Sequence, residues 1–178
     1  MSYDMQERLS FSRGIRERTD IDTIKKMIHG CESVIKTDEK TDRAGVDYIA
    51  TLRRGAQILI DAKARDKGAA RYWKNGPEFA LEIWSVIENN KVGWTLNEGK
   101  NTDFIFFTFD PIETSACYLI SFQLLRMAFA SNLMQWQRKY RCAKQDSGGW
   151  TSQCVFVPAA TVEDAILNVS HGVVQTTT

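Results

Sequence analysis

Gly45-Val46-Asp47-Tyr48-Ile49-Ala50-Thr51-Leu52-Arg53-Arg54-Gly55-Ala56-Gln57-Ile58-Leu59-Ile60-Asp61-Ala62-Lys63 is the stretch on which the fold of this chain turns. Two strand-like runs rich in Ile, Leu, Val, Thr and Tyr flank Arg53-Arg54-Gly55. A three-residue loop ending in Gly is the sequence form of a type I turn followed by a bulge with Gly in the left-handed region, so the stretch is predicted to be a β-hairpin. With that loop Leu52 faces Ala56, opposed residues have numbers adding to 108, and Asp47 stands across from Asp61. Side chains alternate along a strand, which puts Asp61 and Lys63 on one face. The two carboxylates then come within about 5 Å of each other at Cβ, with an ammonium beside them. A two-residue loop would shift the register by one and part them.

Asp61 follows Ile58-Leu59-Ile60, the lead-in of an interior strand. Two like charges facing each other near a core are costly unless something neutralises them. A divalent cation does so, and Mg²⁺ characteristically takes one or two carboxylates together with water and phosphate oxygens. Lys63 cannot replace such an ion, but its ammonium suits the stabilisation of charge on an attacked phosphate or the orientation of a water.

Upstream of the hairpin, Met5, Leu9, Phe11 and Ile15 recur at roughly helical intervals and predict a helix over 4–18. Asp20 is placed as the N-cap of a second helix, with Ile21, Ile24, Met27 and Ile28 on one face and Gly30 as its stop. Residues 31–37 read as a strand and 38–44 as a polar loop. Downstream, 64–73 reads as a short basic helix or loop. Strands over 78–88, 92–96 and 102–109, with turns between them, read as a meander. Leu119, Phe122, Leu125, Phe129, Leu133 and Trp136 recur at three- and four-residue steps, predicting an amphipathic helix over 118–140 that covers a sheet face. A Gly148-Gly149 loop, a strand over 153–157 and a helix over 161–168 complete the order. It predicts one domain over 1–178, of α/β (α+β) class, with a mixed central sheet flanked by helices.

The chain of 178 residues, 43% apolar and 25% charged, is long enough and apolar enough to build a core. Its 23 basic and 22 acidic side chains give a net charge of +1, so any nucleic-acid surface must come from local clustering. The four cysteines (Cys31, Cys117, Cys142 and Cys154) form no CxxC pair and only His29 and His171 could join them, which argues against a zinc site. They read as free thiols in a reducing cytoplasm. No apolar leader stands at the N-terminus, and the most apolar stretch, 117–134, is broken by Ser121, Gln123 and Arg126, so no membrane partner is expected.

Gly45-Val46-Asp47-Tyr48, a hairpin, then Ile60-Asp61-Ala62-Lys63 resembles the motif of the PD-(D/E)XK phosphodiesterase superfamily, which includes restriction endonucleases and Holliday-junction resolvases. The motif covers about 20 residues, and the order of elements agrees over roughly the first 110. The resemblance implies a restriction endonuclease-like core and Mg²⁺- or Mn²⁺-dependent hydrolysis of DNA. It implies that Asp47 and Asp61 are metal ligands, that the Ala62 backbone carbonyl is a third, and that Lys63 is the catalytic lysine. Val46 stands where the family pattern has proline. The family often supplies a further acid from the first helix, for which Glu7, Glu17 and Asp20 compete; Asp42 and Glu82 are weaker candidates. The whole chain also resembles small bacteriophage proteins, which would place it in the cytoplasm of a bacterial host. A homodimer would suit the cutting of two strands, but no residue pattern fixes one. The alternative is a phage protein that keeps this fold and binds DNA or a host protein without cutting.

Basic residues gather at Arg13, Arg16 and Arg18, at Arg53 and Arg54, at Arg65, Lys67, Arg71 and Lys74, and at Arg138, Lys139, Arg141 and Lys144. Each cluster is equally well read as a solvated face. The 65–74 cluster, which follows Lys63 and includes Tyr72 and Trp73, is the preferred DNA contact, since phosphates attract cations and unpaired bases stack on aromatics.

Overall fold

The computed structural model of the chain describes residues 17–38, 41, 45–65, 71–73, 76–109 and 117–171, with side chains from Asp20 onward. The greater part of the expected 4–18 helix, with Glu7, lies outside the described residues, as do the Glu17 side chain, Asp42, Lys67 and Lys74. The described elements are α1 (Glu17–Met27), β1 (Cys31–Lys36), β2 (Tyr48–Leu52), β3 (Gln57–Arg65), β4 (Glu78–Val86), β5 (Lys91–Val92), β6 (Phe104–Phe109), β7 (Cys117–Ser121), α2 (Phe122–Lys139), β8 (Cys142–Asp146), β9 (Thr151–Pro158) and α3 (Ala159–Ser170). The fold is mixed α+β with two sheets. Contacts divide it into two compact units, Met1–Arg65 with Asn101–Ile120, and Asp66–Lys100 with Ser121–Thr178.

In the first unit the strand order is β1-β2-β3-β6-β7. β1, β2 and β3 are antiparallel neighbours, and β3 runs parallel to β6. The hairpin register is the predicted one: Tyr48 pairs with Ile60 and Thr51 with Gln57, so numbers add to 108. Leu52 N–H donates to Ala56 O at 2.8 Å and Gly55 N–H to Leu52 O at 2.9 Å. The turn itself differs from the expectation. Arg54 has φ 85° and Gly55 φ 79°, and a positive φ at the second central residue belongs to type II rather than type I. One face of this sheet carries α1. Ile24, Ile28, Val34, Tyr48, Ala50, Ile60 and Phe106 form its buried core, with Ile21, Ile58 and Ala62 packed against them.

Within α1, Asp20 sits inside the helix and is not its N-cap. Gly30, at φ 75°, ends it as predicted. Ile21, Ile24 and Ile28 span about 60° of the helix circumference, whereas Met27 falls about 60° beyond Ile24 on the other side. Met27, expected on the buried face, is accordingly 41% exposed.

The second unit holds an antiparallel sheet of order β5-β4-β9-β8 and the helices α2 and α3, which pack on each other. Phe79, Leu81 and Ile83 alternate inward from β4, Val155 and Val157 from β9, and Leu125, Phe129, Trp136 and Val162 are buried from the helices.

The expected meander over 78–109 does not form. β4 pairs with β5, but β6 joins the other sheet. Ile105, Phe106, Phe107 and Phe109 are all buried, so β6 has no wet face, which is the pattern of a central strand in a parallel pair. The 92–96 strand shrinks to the two residues of β5, because Gly93 lies against the Glu82 backbone and 93–97 turn, with Leu96 N–H donating to Gly93 O at 3.1 Å. The 118–140 helix begins only at Phe122. Its apolar start is strand β7, since a short apolar run has no period that separates strand from helix. Strand β8, Cys-Ala-Lys-Gln-Asp, went unread because an exposed polar edge strand shows no alternation. Among the described residues no helix is long and apolar enough to cross a membrane.

Candidate functional site

Along β3, Ile58, Ile60 and Ala62 turn toward α1. Asp61 and Lys63 therefore point from the opposite face, beside their β6 partners Ile105 and Phe107, both of them buried. Asp61 is 2% exposed. Lys63 Nζ donates to Asp61 Oδ1 at 2.6 Å, and the lysine side chain keeps 32% of its surface.

Asp47 precedes β2 and is held from both sides. Its N–H donates to Ile60 O at 2.8 Å, although Ile60 is the register partner of Tyr48. Two residues thus answer one, a bulge that re-aims the first of them. Its carbonyl accepts from Thr37 N–H at 2.9 Å and from Thr37 Oγ1 at 3.2 Å. The same hydroxyl donates to Val46 O at 2.5 Å. The Asp47 carboxylate accepts from Ala62 N–H at 2.6 Å through Oδ2 and lies in hydrogen-bonding reach of the Asp61 side chain. The sequence expectation that the two carboxylates meet, with Lys63 beside them, is what the fold displays.

Burial pushes the Asp47 carboxyl up from 3.8 to about 7; its hydrogen bond with Asp61 and the Asp61 charge add to this, while Ala62 N–H and Lys63 oppose it. Two carboxylates in hydrogen-bonding contact need a proton between them, so the pair holds one near neutrality. The ionised oxygens of such a pair are hard donors for a cation.

β3 is fixed just before Asp61 by a latch that the sequence reading missed. Thr102 Oγ1 donates to Leu59 O at 3.0 Å, Asp103 N–H to the same carbonyl at 2.8 Å, and Leu59 N–H donates to Asp103 Oδ2 at 2.8 Å. Thr37 was missed likewise. In sequence Thr37 reads as the last residue of one strand and Thr102 and Asp103 as the first residues of another, and their only signal is a Thr or Asp flanking an apolar run.

The remaining candidates have settings of their own. Asp20 Oδ2 accepts from Tyr48 Oη at 3.4 Å, and the Tyr48 side chain belongs to the α1 face. Among the described residues no group of three or more His, Cys, Asp or Glu side chains gathers to hold a metal. Ala62 touches the pair through its N–H. Glu82 accepts from Trp94 N–H at 2.9 Å and Ser85 Oγ at 3.2 Å, which makes it part of the turn after β5. Of the expected DNA contacts, Arg65 ends β3 in the first unit and Arg71 lies in the second.

The sequence matches no family model, and comparison with curated proteins and with solved structures gives no match either. The geometry of Asp47, Asp61 and Lys63 is therefore the ground on which a functional reading stands.

Proposed function

We propose that the protein is a phosphodiester hydrolase acting on DNA with Mg²⁺ or Mn²⁺, and that its core is of the restriction endonuclease-like kind. The observation that carries this reading is the meeting of Asp47, just before β2, with the buried Asp61 of β3, with Lys63 Nζ 2.6 Å from Asp61. The order of a helix, three antiparallel strands and a fourth strand parallel to the third supports it. The pair fits a small hard cation: Mg²⁺ binds through one or two carboxylates and keeps several waters, so two acids suffice without a third. Asp47 and Asp61 would hold it.

When bound, the ion supplies Lewis-acid charge and a water acidified for attack on phosphorus. The chain's own residues do the rest. Asp61 holds the Lys63 ammonium at a fixed place, and Lys63 donates to a phosphate oxygen as negative charge builds there. Thr37 and the Thr102–Asp103 latch keep both carboxylates from drifting. Asp47 must release its proton before the pair carries two charges, so cleavage at limiting Mg²⁺ rises with pH through about 7.

Incubation with circular, linear and branched DNA plus Mg²⁺ or Mn²⁺ tests the proposal. The expected result is metal-dependent cleavage that Asp61→Asn and Lys63→Ala reduce by about 100-fold or more. A wild-type protein that cuts nothing, or variants that cut as well as wild type, overturns it.

A further inference from the structure

The second unit gathers cations around an exposed ring. The Arg71 guanidinium lies 4.7 Å from the Tyr72 ring centroid, and the Arg141 guanidinium 4.6 Å from the same centroid. Arg141 also stacks on Phe156 at 3.6 Å. Tyr72 nevertheless remains 44% exposed. Among the described residues one carboxylate is recorded against this charge: Glu78 Oε2 stands 3.7 Å from Arg141, too far for a hydrogen bond. Among the described residues Arg71 has no acidic partner. Residues 138–144 add Arg138, Lys139 and Lys144 to Arg141 with no acid among them. Arg138 and Lys139 answer the C-terminal dipole of α2, but Arg71 and Arg141 have no such reason to converge.

We propose that Arg71, Tyr72 and Arg141 form a contact site for a single nucleic-acid strand. A guanidinium stacked on a ring is held flat, with its N–H edge free to fork onto a phosphate, and it gives up little freedom on doing so. Two such edges at one ring match successive phosphates, and the exposed part of Tyr72 offers an apolar surface for an unpaired base. A duplex hides its bases and would use the cations alone. The site deepens the proposal of a DNA hydrolase and rests on it, yet it requires no cleavage.

Fluorescence anisotropy with a labelled oligothymidylate and a duplex of equal length, in EDTA and over a range of salt, tests it. Wild type is expected to prefer the single strand. Tyr72→Ala should weaken binding about fivefold or more, the loss of one base stack. Arg71→Ala should lower the slope of log affinity against log salt by about 0.7, the signature of one phosphate contact to a single strand, which a merely structural change leaves alone. Arg141→Gln should do the same; because Arg141 also packs on Phe156, Arg71→Ala carries the test should Arg141→Gln not fold. No binding, a preference for the duplex, or wild-type affinity and slope in both Arg71→Ala and Tyr72→Ala overturns the site. The two readings fail separately. If Asp61→Asn abolishes cutting while Arg71→Ala and Tyr72→Ala bind as wild type, the site falls and the hydrolase stands. If those variants lose binding while Asp61→Asn cuts normally, the hydrolase falls and the site stands.

Discussion

Replacing Asp47 by Asn removes one charge from the buried pair while keeping its shape: the amide oxygen still accepts from Ala62 N–H, and the amide nitrogen can donate to Asp61. In the wild-type protein the Asp47 carboxyl is pushed from 3.8 to about 7, chiefly by burial. The folded chain therefore keeps a proton that the unfolded chain releases, and stability falls as pH rises between about 4 and about 7. Below the lower value both states are protonated and nothing is lost. Above the upper value the full penalty is in place, and a shift of about three units corresponds to on the order of 4 kcal/mol. Asn cannot titrate, so Asp47→Asn should match wild type near pH 4 and exceed it by about 2–4 kcal/mol at pH 8, while cleavage is lost. Urea unfolding in EDTA at half-unit steps from pH 4 to 8 measures this. Other titrating groups are common to both proteins and cancel in the difference. A difference that stays flat across the range would refute the assignment of a shared proton to this pair. Adding Mg²⁺ at pH 8 should narrow the gap by stabilising wild type alone.

Lys63→Ala should destabilise the fold by about 1–3 kcal/mol, because it removes the 2.6 Å partner of a 2%-exposed carboxylate from a lysine that is itself partly solvated; chemical unfolding at pH 8 reads this. Arg54→Gly should stabilise by about 0.5–1 kcal/mol, since Arg54 holds φ 85° at a turn position where Gly carries no Cβ strain. A raised thermal midpoint with cleavage unchanged is the expected result. Gly93→Ala should cost about 1–3 kcal/mol, because a Cβ there runs into the Glu82 backbone and the strand pairing must open to admit it; a midpoint equal to wild type would contradict the close approach.

The candidate site was legible because its logic is local. A loop of three residues fixes which number faces which as far as Tyr48 and Ile60, and the bulge at Asp47 then sets its carboxylate by Asp61, even though the turn proved to be of another type. The rest of the sheet depended on pairings that no local pattern encodes. β6 has the composition of any apolar strand, and only its burial on both faces says that it lies inside a sheet beside β3, some forty residues earlier. Thr37, Thr102 and Asp103 act through hydrogen bonds to the backbone of other segments, so in sequence they look like ordinary strand-end residues. Asp20 shows the converse: an N-cap residue type is no proof of a cap when the helix runs through it.

The chain leaves the first unit after Arg65, at the end of the strand that bears Asp61 and Lys63, and returns to it only at Asn101. The second unit is likewise written in two instalments, with β4 at 78–86 pairing with β9 at 151–158. No single cut of the polypeptide yields either unit whole. During synthesis β4, with Phe79, Leu81 and Ile83 on its inward side, must wait some seventy residues for its partner, an exposed apolar edge for that interval. Long-range pairing of this kind folds slowly, so yield on expression should respond to growth temperature and chaperone supply more than the equilibrium stability of the finished protein would suggest.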